Sequence, residues 1–222
     1  MERIFEGEIY DIIPQPNGIV FSYCKDKSSD HILVSYKMLS LDTEKITDVA
    51  KNIYQLSKFG SNYRNIVSNF ENHITVRSIV HTNGMVFVTE RNGKAMLFGN
   101  DGTVLWEGSM LYRGNPPTDI AFHKNSIWSC YADSNVLLRF NIINIREELR
   151  IGGAKSPFDS PKSLFMEENS VIVSNPASNK LIRVNLLNFD VEVYKEFTEA
   201  VYGYVRVRDN EFVLMESGLY KL

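Results

Sequence analysis

Five residues stand six places ahead of five turn-type asparagines: Asp11, Arg77, Asp119, Ser163 and Tyr204, before Asn17, Asn83, Asn125, Asn169 and Asn210. Two carboxylates, a guanidinium, a hydroxyl and a phenol at equivalent positions could hold a sugar, a peptide end or another small polar molecule. Asp11 and Asp119 could also ligate a hard cation through oxygen. Alternatively, they could work across a glycosidic bond, which needs two carboxyls roughly 5 to 9.5 Å apart. The same residues suit a water-filled channel in which Asp and Arg satisfy one another. What each reading requires is an architecture that brings the five positions together.

The asparagines supply it. Each opens an apolar, β-rich run: Asn17-Gly-Ile-Val-Phe, Asn83-Gly-Met-Val-Phe, Asn125-Ser-Ile-Trp-Ser, Asn169-Ser-Val-Ile-Val and Asn210-Glu-Phe-Val-Leu. Asn suits a tight turn between strands. The intervals are 66, 42, 44 and 41 residues, so the units repeat in the low forties and the first carries an insertion. A period in the low forties is that of a four-stranded propeller blade. The match runs past the anchor, because Val136–Leu149 lies over Leu181 and its neighbours at an offset of 44. Strands A, B, C and D are predicted in each unit, with A near 74–80, 118–123, 162–166 and 203–208. The last unit ends before a D strand, and Arg3-Ile-Phe-Glu-Gly7 resembles the D strand Val104-Leu-Trp-Glu-Gly108. The expected fold is therefore an all-β, five-bladed propeller of four-stranded antiparallel blades, closed by the N-terminal strand in the last blade.

Ile127-Trp-Ser-Cys-Tyr-Ala-Asp-Ser-Asn-Val-Leu-Leu-Arg-Phe140 and Val171-Ile-Val-Ser-Asn-Pro-Ala-Ser-Asn-Lys-Leu-Ile-Arg-Val184 resemble the B-turn-C segments of NHL- and YVTN-type propeller repeats. The resemblance covers mainly the third and fourth units. It implies a fold and transfers no catalytic residue, since those families include protein-binding scaffolds, ligand-binding modules and some metal-dependent hydrolases.

In such a ring the D-to-A and B-to-C connections share one rim, and the A-to-B and C-to-D turns share the other. Both irregularities of the first unit fall on the first rim: the B-to-C loop Lys25–Asp30 and the connection from about residue 50 to 73. Loop insertions on one rim point to where function sits. In the long connection Asp48 is expected to cap a helix whose Val49, Ile53 and Leu56 pack on the blade tops, with Gly60 ending it. Tyr63 and Arg64 beyond it, and Asp133 in the third B-to-C loop, are the candidate rim contacts. His81 and His123 sit two before their turn Asn as part of a polar ring on the opposite rim, and His31 and His73 have no spaced ligand partners.

Ordinary composition, 44% hydrophobic and 23% charged, excludes disordered and collagen-like chains. A net charge of -3 and the lack of a basic face with interleaved aromatics give no reason to expect nucleic acid or an anionic membrane. The start has no signal-peptide pattern, no apolar run reaches the roughly 20 residues of a membrane span, and two cysteines make no framework or CxxC pair. A reduced, cytoplasmic and monomeric protein without cofactor or metal is expected. Phosphate-binding loops, GxGxxG, HExxH and GxSxG are missing from the sequence. The expected function is non-enzymatic: a binding or scaffold propeller holding a partner protein or small polar ligand at one rim of the channel. The alternative is a sugar- or lactone-directed hydrolase or lyase using Asp11 and Asp119.

Overall fold

The computed structural model describes residues 1–28, 32–68, 75–81 and 83–222. Its described elements are β1 (Glu2–Glu6), β2 (Ile9–Gln15), β3 (Gly18–Lys27), β4 (Ile32–Ser40), β5 (Lys45–Asp48), helices α1 (Lys51–Phe59) and α2 (Tyr63–Ser68), β6 (Thr75–Val80), β7 (Val86–Glu90), β8 (Lys94–Phe98) and β9 (Val104–Ser109). There follow β10 (Asp119–His123), β11 (Ser126–Tyr131), β12 (Val136–Asn141), β13 (Glu147–Gly152), β14 (Ser163–Met166), β15 (Ser170–Asn175), β16 (Lys180–Asn185), β17 (Val191–Glu196), β18 (Val201–Val207), β19 (Asn210–Met215) and β20 (Gly218–Lys221). They form five antiparallel four-stranded sheets, β2–β5, β6–β9, β10–β13, β14–β17 and β18–β19–β20–β1. This is the expected five-bladed propeller, numbered here blades 1 to 5. Pairing of Glu2 with Lys221 and of Glu6 with Gly218 places β1 as the outer strand of blade 5, as the resemblance of the two D strands implied.

The burial pattern explains the strand composition. The second strands β7, β11 and β15 are buried along almost their whole length, because a neighbouring element covers each face, and so are apolar for most of their course, with Thr89, Glu90, Ser129, Ser174 and Asn175 buried among the apolar residues. The outermost β9 and β13 alternate between covered and exposed positions. Apolar clusters fill the joints between blades. Phe87, Leu97, Ile127 and Leu138 close blades 2 and 3. Trp128, Leu137, Val173 and Ile182 close blades 3 and 4. Ile172, Leu181, Tyr204 and Val213 close blades 4 and 5, and Phe212, Leu219, Ile19 and Phe21 close blades 5 and 1.

The joint between blades 1 and 2 is built differently. There α1 packs against β2, β3 and β4 on one side and β6 on the other. Phe59 and Ile66 meet Val86, Val88, Met96 and Phe98 of blade 2, while Tyr54 stacks on Tyr36 of blade 1 at 4.6 Å between ring centroids. The insertion is thus a wedge in the ring. It does not lie over a rim as the sequence suggested. Val49 N–H bonds to Tyr36 O near the start of the helix, whereas Asn62 bonds to Asn100 O in the C-to-D turn of blade 2. The segment therefore crosses from one rim to the other.

Two details of the predicted helix are corrected. Asp48 does not cap it: Ala50 is the N-cap residue without a side-chain bond, and Asp48 ends β5 in an ion pair with Lys37 at 2.7 Å. Ile53 and Leu56 are 40% and 45% exposed, because the buried side of α1 faces a polar neighbour, Asp11, and is formed by Tyr54, Lys58 and Phe59. Gly60 does terminate the helix, at φ 74°, where its N–H reaches Leu56 O. Asp30 and His31 of the first B-to-C loop, and His73, lie outside the described residues.

Candidate functional site

The five inner strands surround a cavity of about 350 Å³. Antiparallel register puts Asp11 opposite Ser22, Arg77 opposite Thr89, Asp119 opposite Cys130 and Ser163 opposite Ser174. These four expected ring residues occupy one level of the cavity wall. Arg77 is its hub: Nε lies 3.1 Å from Asp119 Oδ1 and donates to Thr118 O at 3.0 Å, and Nη1 lies 3.9 Å from Asp11 Oδ1. Asp119 Oδ2 accepts the N–H of Leu164 from the next blade at 2.8 Å. Ser163 Oγ bonds Ser174 Oγ, which donates to Tyr202 O at 3.1 Å. Arg77 and Asp119 thus also tie their inner strands to the following blade, and Ser163 does so through Ser174.

Two residues that hold Asp11 were not anticipated, and of them Lys58 lines the cavity. Lys58 Nζ and Tyr54 OH, from α1, bond Asp11 Oδ2 at 3.0 and 2.9 Å. They are four residues apart and so share one helical face. That polar i, i+4 pair was the available signal, overshadowed by the apolar stripe beside it.

The fifth ring residue is Gly203, which pairs with Leu214 at the level where Asp119 pairs with Cys130. In blade 5 the tight turn is Arg208–Asp209, flanked by the pair Val207 and Asn210, as Lys124–Asn125 is flanked by His123 and Ser126. Arg208 and Lys124 share φ values of 54° and 53°. Counting from Asn210 therefore displaced the register by one residue, which moves a strand side chain to the opposite face. Tyr204 borders the cavity but is only 2% exposed, its ring packed edge-on against Phe165 and Tyr194 in the blade 4–5 joint.

Two residues along each strand the wall changes character. Ile13, Ile79, Ala121, Phe165 and Val205 form a second, wholly apolar level of the same cavity. Beyond it His81 donates from Nε2 to Lys124 O at 3.1 Å, and His123 to Glu168 O at 3.0 Å, each fastening its blade to the next turn. These are the roles of the predicted polar ring.

The two carboxylates are pushed in opposite directions. Burial, the largest single influence, raises the Asp11 carboxyl, but Lys58, Arg77 and the hydrogen bonds from Lys58 and Tyr54 together hold it below the usual range. Burial raises Asp119 and outweighs Arg77 and two backbone N–H groups, leaving it above that range. The Cys130 thiol, beside Thr118 Oγ1 at 3.2 Å, is pushed up to about 12, chiefly by burial, so it stays protonated and unreactive at neutral pH. No group of three or more His, Cys, Asp or Glu side chains that could hold a metal occurs among the described residues.

The candidate rim contacts separate. Asp133 lies exposed in the 3-10 turn Ala132–Ser134 of the B-to-C connection. Arg64, exposed, stacks beside Tyr63 in α2, which sits against the C-to-D turn of blade 2 on the opposite rim. The crossing of α1 carries them there, so they do not join Asp133 in one contact surface. No helix among the described residues is long and apolar enough to cross a membrane.

No protein-family model matches the chain, and no curated protein sequence matches it. Solved structures do. Sqt1 from Saccharomyces cerevisiae superposes with a TM-score of 0.57 at 11% identity, over 97% of this chain and 72% of that one. Virginiamycin B lyase from Staphylococcus aureus gives 0.54 at 14% identity, over 100% and 72%. The computationally designed Ika4 protein gives 0.54 at 12% identity, over 69% and 94%. Sqt1 and the lyase are β-propellers, and at such identities the likeness is one of fold.

Proposed function

We propose that this propeller is a non-enzymatic binding protein that holds a small polar ligand in its central channel, at the level of Asp11, Arg77, Asp119 and Ser163. The observation that carries this reading is the mutual engagement of the cavity charges. Asp11 is held by Lys58 and Tyr54, and Asp119 by Arg77 and the Leu164 N–H. Their side chains are 20% and 15% exposed. A general acid or base must be free to exchange its proton with a substrate, and these groups are committed to holding blades together. What the wall does offer is a preformed concave surface with a few convergent polar groups, which is the make-up of a binding site. The 3-10 turns closed by left-handed Asn135 and Asn179 in blades 3 and 4 support the NHL/YVTN-like reading of the repeat. Free Cys24 and Cys130 suit a reducing, cytoplasmic setting.

A second reading rests on the opposite shifts of Asp11 and Asp119, since paired carboxyls of unequal acidity are how one site supplies an acid and a base. The lyase among the structural neighbours makes the same point by analogy of fold only. One experiment separates the two. Thermal unfolding of the wild type and of an Asp11→Asn/Asp119→Asn variant is followed with sugars, lactones and free amino acids, and each mixture is assayed for turnover. A bound ligand at 100 times its Kd adds about 2.7 kcal/mol, or roughly 5 to 10 °C in a domain of this size. A shift in the wild type that the variant loses, without product, is the expected result. Turnover abolished in the variant would transfer the site to the hydrolase reading.

A further inference from the structure

The geometry points to an electrically neutral ligand: a hydroxyl or primary amide head on a compact apolar body, held with the head at Arg77 and Asp11. This rests on the channel-binding reading above and adds the chemical class to it. Three independent features of the cavity carry it.

The first is a gap of the right kind. Lys58 and Tyr54 both use Asp11 Oδ2, and Arg77 engages Thr118 and Asp119 through Nε. Arg77 Nη1 and Asp11 Oδ1 are left facing one another at 3.9 Å. That is an ion pair beyond hydrogen-bond range, and a polar pair at this distance can take a bridging group that bonds both partners. The inserted group must accept from the guanidinium and donate to the carboxylate. A hydroxyl or a carboxamide does both, whereas an ammonium only donates and a carboxylate only accepts. Water also qualifies, and is what a ligand head would displace.

The second is charge balance. The wall carries Asp11, Asp119, Lys58 and Arg77, two of each sign. A charged ligand would enter a largely desolvated space in which each countercharge already has a partner, and burying an unpaired charge is costly.

The third is the step from polar to apolar. Two residues beyond the charged level stand Ile13, Ile79, Ala121, Phe165 and Val205. The fifth place of the charged level is Gly203, where a Cβ would meet Leu214 Cβ at 3.3 Å and Ile12 Cδ1 at 3.4 Å. That place is taken by Leu214 and Ile12, both of which line the cavity, so the blade 5 side of the charged level is apolar as well. At about 350 Å³ the space is near the small end of ligand cavities.

The test keeps the body constant and changes the head: benzyl alcohol, benzamide, benzoate and benzylammonium, titrated into the methyl-labelled protein and followed by NMR. Benzyl alcohol and benzamide are expected to shift the methyls of Ile13, Ile79 and Val205 with Kd of about millimolar, and the two ions to bind at least about tenfold more weakly. Ala121→Leu, which fills the apolar level, is expected to weaken both neutral compounds by about tenfold. Asp11→Asn leaves the cavity one positive charge in excess and should improve benzoate relative to benzamide; the wild-type series stands alone if that variant does not fold. Benzoate or benzylammonium binding the wild type as well as benzamide would overturn the neutral class and leave channel binding intact. If all four compounds leave the channel methyls unmoved at about 20 mM while the polar compounds of the previous test bind, the inference fails and the reading beneath it stands. If neither series binds, both fail.

Discussion

The joint between blades 3 and 4 and the joint between blades 1 and 2 solve one problem with different materials. At the first, Trp128 and Leu137 interlock with Val173 and Ile182, and Thr118 Oγ1 donates across to Pro161 O at 2.8 Å. At the second, α1 stands between the blades, giving Phe59 to blade 2 and Tyr54 and Lys58 to Asp11 of blade 1. A repeated joint needs only that each blade present the same two faces. The wedge must satisfy two unlike faces at once, and it brings to Asp11 two groups that no repeat supplies. The cavity is therefore lopsided: its charges gather on blades 1 to 3 and the helix, while blades 4 and 5 contribute Ser163 and Gly203.

The sharpest way to break the comparison is to truncate one anchor from each joint. Trp128→Ala is expected to cost about 3–5 kcal/mol in urea unfolding, because the surrounding blades cannot collapse into the space. Phe59→Ala should cost somewhat less, about 3 kcal/mol. Its loss of amide-exchange protection should be confined to α1, β3 and β6–β7, since a joint made by an insertion can open locally. Uniform loss of protection in Phe59→Ala would show that the wedge is no separate unit.

A smaller effect tests charge at the regular joint between blades 4 and 5. Burial alone would raise the Glu211 carboxyl, but hydrogen bonds from Lys195, Tyr194 and Arg206 bring it down to about 2 from the ordinary 4.5. A depressed carboxyl stabilises above its unfolded pKa and loses that contribution as pH falls through the folded one. Acid titration of stability should therefore steepen between pH 4.5 and 2 by on the order of 2 kcal/mol, and Glu211→Gln should flatten it. Asp11, also depressed, predicts the same sign at the wedge: Lys58→Met is expected to cost about 1–2 kcal/mol at neutral pH and to lose most of that deficit in acid. A deficit that stays constant with pH would mean Lys58 acts by packing. Thr118→Val should cost least, about 1 kcal/mol, with no change in protection at blades 1 and 2.

The five blades were readable because a turn Asn and an apolar second strand recur at nearly constant spacing, and because Arg3–Gly7 resembles a D strand that the last unit lacks. Asp11, Arg77, Asp119 and Ser163 followed by counting. Tyr204 did not, because Asn210 begins β19 while the turn itself is Arg208–Asp209, and a period-2 strand does not forgive a shift of one. The place of α1 was not legible either. Helical spacing marks an apolar side, yet the surface waiting for this helix was partly ionic, so Ile53 and Leu56 remained outside and Tyr54 and Lys58 turned inward.

Pairing of β1 with β20 joins residues from opposite ends of the chain. During synthesis Glu2–Glu6 is made roughly 10 to 40 s before its partner strand at ordinary elongation rates. Blades 1 to 4 draw their strands from contiguous sequence and can form in turn, but blade 5 cannot be completed until β20 is available. Through that interval the blades already made form an open arc, and β1, which sets Ile4 and Phe5 among Glu2, Arg3 and Glu6, has no strand to pair with. A chaperone, or the ribosome surface itself, has that long to occupy the segment that later seals the circle.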